Sequence, residues 1–137
     1  MPVIASTTAP RAAARLAKHL ETALATVDLS LPQYRLLGYL AGGEAAASVL
    51  AGDLAVTRPS ITALVDGLVA RSLIQRRADE SDRRRVTHVL TDEGREVLGR
   101  ADDAITARLE DIAGPVSALE EWGEAMDVYR SNRKAPA

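Results

Sequence analysis

Two clusters of side chains in this 137-residue chain have the types and the spacing to hold a polyanion. Thr57-Arg58-Pro59-Ser60-Ile61-Thr62 places one guanidinium and three hydroxyls within six residues, and Arg83-Arg84-Arg85 places three guanidiniums in a row. Arginine can bond guanine bidentately, hydroxyls reach bases or phosphates, and the methyl of threonine or of Ala63 can touch thymine. An arginine on a narrow tip gains most in a narrow minor groove, where the negative potential is strongest. No nucleophile–base pair, phosphate loop or metal-ligand spacing accompanies these clusters, so the chain does not read as an enzyme. It has no cysteine, which removes disulfides, thiolate chemistry and cysteine metal sites. The two histidines, His19 and His88, stand alone, and neither a metal nor a cofactor is expected.

Charge is unevenly spread. Between Arg58 and Val89 seven arginines face four acidic residues, an excess of three positive charges, while the rest of the chain carries an excess of five negative ones. A basic surface on an acidic body points to a nucleic-acid partner more directly than the net charge of −2 does. With 47% hydrophobic residues and no Phe, the core of a single globular domain must be built from Leu, Val, Ile and Ala. The N-terminal MPVIASTTAP lacks the pattern of a signal peptide, and no stretch is apolar enough to span a bilayer, so a cytoplasmic protein is expected.

Both clusters need elements to present them. Apolar residues at three- and four-residue steps predict a first helix from Pro10 to about Val27, after a frayed leader over 1–9. Ser30 with Gln33 forms a capping-box pattern for a second helix that ends at Gly42-Gly43. After an alanine-rich turn, a third helix spans about Ala47–Leu54, and Ala55-Val56 turns the chain. Thr57 then caps a fourth helix whose buried stripe is Ile61, Leu64, Val65 and Leu68. Arg58, Pro59, Ser60 and Thr62 are thereby left at its exposed N-terminal turns. Leu73–Arg77 and Arg85–Leu90 read as two strands around a polar tip, with Val86, His88 and Leu90 alternating against Thr87 and Val89. Asp82 and Arg84, two apart, can pair and orient the tip; His88 reads as a sheet-face residue. Thr91 caps a fifth helix to about Ala113, Gly114-Pro115 breaks the run, and a last helix carries Val116, Leu119, Trp122, Met126 and Tyr129 before a loose SNRKAPA tail.

The order of elements resembles the MarR (multiple antibiotic resistance regulator) family of winged-helix repressors. The resemblance is carried by LSLPQYRLLGYLA (29–41), SVLAGDLAVTRPSITALVDGLVARSLIQR (48–76) and DESDRRRVTHVLTDEG (79–94). It implies a mainly α winged helix-turn-helix fold of about six helices with a small β-hairpin wing, assembled as an intertwined homodimer. Residues 10–28 and 92–130 would form the dimerisation helices of a single domain, and 30–91 the DNA-binding lobe. Arg84 corresponds to the wing-tip arginine of the family, and Thr57–Thr62 to the base-reading turns. Two positions depart from the pattern: Ala55 and Ser72 stand where glycine is common, and both positions can require a left-handed backbone.

The chain is therefore expected to be a sequence-specific regulator that binds a palindromic duplex and is released by a small aromatic or lipophilic ligand. The DNA-binding residues expected are Ser48, Thr57, Arg58, Pro59, Ser60, Thr62, Arg77, Arg83, Arg84 and Arg85, with Asp82 orienting the wing. His19, Tyr34 and Leu37 are the candidates for a ligand pocket; their plainer reading is interface or packing residues. The alternative for the whole chain is a winged-helix module that binds protein rather than DNA.

Overall fold

The computed structural model describes residues 2–114 and 116–134, with side chains described for 8–114 and 116–133. Six helices and a three-stranded sheet follow in the order α1 (Pro2–Ala25), α2 (Leu31–Leu40), β1 (Ala45–Ala46), α3 (Ala47–Leu54), α4 (Arg58–Ala70), β2 (Ile74–Ala78), β3 (Val86–Leu90), α5 (Asp92–Ala113) and α6 (Ser117–Lys134). The chain is mainly helical, as its periodicity predicts. Pro115 and the last three residues of the expected loose tail lie outside the described residues; the rest of that tail, 131–134, is the end of α6.

Three expectations need correction. First, α1 starts at Pro2 and carries Pro10 in its interior, so 2–9 are helical and not a frayed leader. An interior proline removes one hydrogen bond and crowds the carbonyl four residues back, which can kink a helix without ending it. Second, the alanine-rich turn contains a short strand. Ala45 and Ala46 pair antiparallel with His88 and Thr87, giving the sheet order β1-β3-β2. Third, β2 is shifted by one residue and β3 starts one residue later than expected, and the inward–outward alternation of β3 fails. Val86 is exposed, whereas Thr87 and His88 are both buried. The added strand explains this: β3 is the central strand, covered on both edges, and Thr87 satisfies its hydroxyl on Glu44 at 3.2 Å.

The helix ends show how the chain turns so tightly. The Ser30–Gln33 capping box is present in both directions. Thr57 and Thr91 accept from the amides three residues on. At the other ends, α1, α3 and α4 close with the same pair of reversed hydrogen bonds: Leu29 and Asp28 onto Leu24 and Ala25, Val56 and Ala55 onto Ala51 and Gly52, Leu73 and Ser72 onto Leu68 and Val69. This is the Schellman closure, which needs a left-handed residue at its second-to-last position. Here that residue is never glycine: Asp28, Ala55 and Ser72 have φ of 55°, 55° and 61°. The apolar residue that follows each one, Leu29, Val56 or Leu73, folds back on its own helix.

The core lies in the lobe made by α2–α4 and the sheet, capped by the ends of α1 and α5. Leu36, Leu37, Leu40, Leu50, Ile61, Val65, Leu68 and Ile74 are fully enclosed there, together with Leu24 of α1. Gly94, in the first turn of α5, lies so close to the root of β2 that a Cβ would stand 2.2 Å from the Leu73 carbonyl oxygen. No described residue of α6 joins this core, and Trp122, Met126, Val128 and Tyr129 are each at least 60% exposed.

Candidate nucleic-acid interface

The fourth helix begins at the mouth of a cleft. Thr57 caps it by accepting the Ser60 amide, and it spends its own hydroxyl proton on Ser60 Oγ at 2.8 Å. Thr62 bonds back to the Arg58 carbonyl at 3.1 Å. These hydroxyls therefore build the helix end before they meet any partner. The Arg58 guanidinium, by contrast, has no partner among the described residues and is exposed at the first helical position.

The wing tip is shaped by two aspartates acting on the backbone. Asp79 accepts from both the amide and the hydroxyl of Ser81, at 2.9 and 2.7 Å. Those bonds hold the Asp79 carboxyl below its ordinary titration range, the hydroxyl contributing most. Asp82 accepts the Arg84 amide at 3.0 Å, and its carbonyl accepts the Arg85 amide at 3.0 Å. Asp82 thus holds the Arg84 peptide and makes no ion pair with the Arg84 guanidinium. An Asx turn satisfies a backbone donor at little entropic cost, and it leaves the neighbouring guanidiniums unspent.

Between helix and wing runs a cleft of about 630 Å³, to which α3, α4 and the wing all contribute. Ser48, Arg58 and Thr62 line it from the helices, and Asp82, Arg84 and Arg85 from the wing. Thr57, Pro59 and Ser60 are exposed beside it at the helix end, while Arg77 and Arg83 are exposed but outside its lining. For Arg77 the reason is the pleat, which sends successive side chains of β2 to opposite faces. Its neighbour Arg76 takes the cleft side and pairs with Asp66 of α4, fastening wing to helix. Arg76 and His88 are the two polar lining residues that the sequence did not single out as site residues. They are directly opposed across β2 and β3, a register visible only once the strands are paired.

The three ligand-pocket candidates do not come together. Leu37 is fully enclosed in the lobe core. Tyr34 is half-buried and donates to Asp102 of α5 at 2.5 Å; burial first, then this bond, pushes its phenol well above the ordinary range. His19 alone borders open space, a groove of about 980 Å³ between α1 and α6 whose walls include Leu16, Leu119 and Trp122. Arg108 of α5 donates to His19 Nδ1 from Nε at 3.1 Å. Among the described residues no cluster of side chains has the make-up of a metal site, and no helix is long and apolar enough to cross a membrane.

Residues 27–85 match the model of the MarR family. That span covers the lobe from the end of α1 to the wing. Among solved structures, RV1404 from Mycobacterium tuberculosis is 28% identical with a TM-score of 0.77, over 93% of this chain and 95% of that one. The transcriptional regulator BldR from Sulfolobus solfataricus is 26% identical with a TM-score of 0.76, over 96% of this chain and 95% of that one. The transcriptional repressor CouR, bound to a 23-mer DNA duplex, is 26% identical with a TM-score of 0.73, over 93% and 90%. No curated protein sequence matches this one.

Proposed function

We propose that this chain, whose residues 27–85 match the MarR family model, is a winged-helix regulator of that family that binds duplex DNA as a homodimer and regulates transcription, as a repressor that a small ligand releases. The observation that carries the reading is the cleft. Free guanidiniums from a helix N-terminus and from a hairpin tip converge on one concave surface, and the only arginine in it that is neutralised, Arg76, holds the two walls together. The first turns of α4 enter the major groove, where Arg58 reads a base, and Arg84 at the wing tip enters the adjoining minor groove. Thr57, Pro59, Ser60 and Thr62 fix the helix end against the duplex, and Ser48, Arg77, Arg83 and Arg85 contact phosphates.

Dimerisation follows from the exposed side of α6. Trp122, Met126 and Tyr129 recur at helical spacing and lie open to solvent, an apolar row larger than a lone subunit leaves uncovered. The same helix is acidic in its first half (Glu120, Glu121, Glu124) and basic near its end (Arg130, Arg133), so two copies running antiparallel are complementary. Residues 10–28 and 92–130 are the dimerisation helices in this reading, and 30–91 the DNA lobe. The groove beside His19 is the seat for an aromatic or lipophilic effector, in place of a pocket at Tyr34 and Leu37. A soluble cytoplasmic location accords with this role.

Selection of bound sequences from a random duplex pool, followed by affinity against salt, tests the reading. Enrichment of a palindrome with half-sites about 34–36 Å apart and a steep salt slope is the expected result. Absence of enrichment together with weak, salt-insensitive binding would overturn it in favour of a protein-binding module, which the acidic body would suit.

A further inference from the structure

We infer that His88 is a proton-linked contact to the DNA backbone: its Nε2 takes up a proton when a phosphate seats in the cleft, so binding tightens as pH falls. The inference rests on the DNA-binding reading above and adds to it a residue and a regulating variable.

A helix in the major groove and a hairpin in the adjoining minor groove are separated by one sugar–phosphate strand. That strand must cross the cleft between α4 and the wing. His88 lies in the wall of this cleft although it is only 5% exposed. Its Nδ1 is 3.0 Å from the Ala45 carbonyl oxygen. A carbonyl only accepts, so Nδ1 carries the hydrogen, and in the neutral ring Nε2 is left with a lone pair. Among the described residues no enclosed side-chain nitrogen or oxygen lacks a partner, and His88 makes only the bond to Ala45. Nε2 is therefore not fully enclosed, in a residue that lines the cleft.

A lone pair facing a phosphate oxygen is repelled; an N–H⁺ in the same place donates a charge-assisted hydrogen bond. The two protonation states of His88 thus differ in affinity for the duplex, which is the condition for linkage. The surrounding charges set the sign. Arg58 of α4 and Arg84 and Arg85 of the wing outnumber Asp82, and Arg76 is neutralised by Asp66. On the other sides of β3, Glu44 is engaged by Thr87, Arg35 of α2 by the Leu54 carbonyl, and Asp53 of α3 by Tyr39. A phosphate seated in the cleft supplies the counter-charge for a protonated ring. DNA binding then draws in a proton, and by reciprocity a proton favours DNA. Histidine is the side chain that ordinarily changes charge between about pH 5 and 8, so the effect falls in a usable range.

Phosphate contacts are independent of sequence, so the test needs no operator. Fluorescence anisotropy on a mixed-sequence duplex at low, fixed ionic strength, from about pH 8 to about pH 5.5, gives log affinity against pH. The wild-type protein is expected to bind more tightly as pH falls, approaching tenfold per pH unit per subunit at the steepest point. H88Q, which keeps a donor and an acceptor but does not titrate, is expected to give a flat profile, with a salt slope near pH 5.5 that is shallower than the wild type's by about one ion per subunit. H88N serves as the second variant should H88Q fail to fold. A wild-type profile that is flat while binding stays salt-dependent overturns the role of His88 and leaves the DNA reading intact. A slope that survives H88Q assigns the proton elsewhere and also overturns it. No duplex binding at any pH or salt overturns both readings together.

Discussion

Gly94→Ala is the substitution whose cost the structure specifies most closely. The added methyl would meet the Leu73 carbonyl oxygen at 2.2 Å, Leu90 Cδ1 at 2.7 Å and the Leu73 carbonyl carbon at 3.1 Å. The leucine methyl can swing aside; the carbonyl cannot, because it accepts the Thr91 amide at 3.1 Å while the neighbouring Ser72 carbonyl accepts the Thr91 hydroxyl at 2.7 Å. A carbon and a carbonyl oxygen ordinarily approach to about 3.3 Å, so the start of α5 must move about 1 Å from the root of the wing. Overpacking against a fixed group costs roughly 3 kcal/mol, and weakening the two Thr91 bonds adds about 1 kcal/mol. The expected loss is therefore about 4 kcal/mol, a fall in Tm on the order of 15 °C for a chain of this size. Urea unfolding should be followed at one fixed protomer concentration, because a dimer's stability depends on it. Gly52→Ala is the control: it lies in an exposed helix interior with nothing within 4 Å of a new Cβ, and should stabilise by about 0.5–1 kcal/mol. A Gly94→Ala protein within about 1 kcal/mol of wild type would refute the close approach of α5 to the wing.

Ala55→Gly and Ser72→Gly should each stabilise by about 0.5–1 kcal/mol, since relief of a left-handed L-residue outweighs the extra freedom of glycine in the unfolded chain; the same urea experiment measures it. Tyr34→Phe should destabilise by about 1 kcal/mol through loss of the bond to Asp102. Because the folded phenol is raised above its unfolded value of 10.0, its contribution is fully present below that pH and is lost as pH rises through the folded value; the variant's alkaline unfolding profile should lack that loss. Ser81→Ala should raise the Asp79 carboxyl towards its ordinary range, seen in an NMR titration, since the Ser81 hydroxyl is the largest cause of its lowering. Trp122→Glu should shift the protein from dimer to monomer in sedimentation equilibrium, and an unchanged dimer would move the interface off α6.

What the sequence made legible follows the range of the forces involved. Caps act over three residues, so Ser30, Thr57 and Thr91 could be read directly, whereas the unusual backbone at Ala55 and Ser72 was visible only through the resemblance, as two places where the family commonly has glycine. The third left-handed residue, Asp28, closes α1 in the same way but stands where aspartate draws no attention. Strand pairing acts across tens of residues. Two alanines in a turn carry no strand signal, so β1 was missed, and with it the burial of Thr87 and the facing of Arg76 and His88. That the ligand-pocket candidates stand apart was hidden for the same reason: Leu37 on α2 looks much like any other apolar helix residue until the lobe is closed around it. The basic clusters were legible because exposed arginines with no local partner are unusual for stability and ordinary for binding. Arg76 was not singled out with them, and its pairing with Asp66, ten residues earlier, is visible only once wing and α4 are packed together.

The distribution of buried residues divides the chain mechanically. Eight of the nine largest fully buried side chains fall between Leu36 and Ile74, and the ninth, Leu24, is at the end of α1 next to them. The lobe therefore holds its own shape, while no described residue of α6 takes part in its core. Helix α5 belongs to both halves. Its first turn is locked to the wing root at Gly94 and Thr91, its middle to α2 through Asp102 and Tyr34, and its distal half carries Arg108 against His19 and the exposed Ile112. A helix of 22 residues is about 33 Å long, so a tilt of about 5° at its distal half displaces the far end by about 3 Å. Since the lobe is fixed to that end, it moves with the helix and α4 moves with the lobe. In a dimer reading two half-sites, opposite displacements on the two subunits change the separation of the recognition helices by about twice that amount, which is enough to break register with a groove repeat of about 34 Å. A ligand seated beside His19 needs no contact with DNA to release it; it needs only to prefer one tilt of α5 over the other.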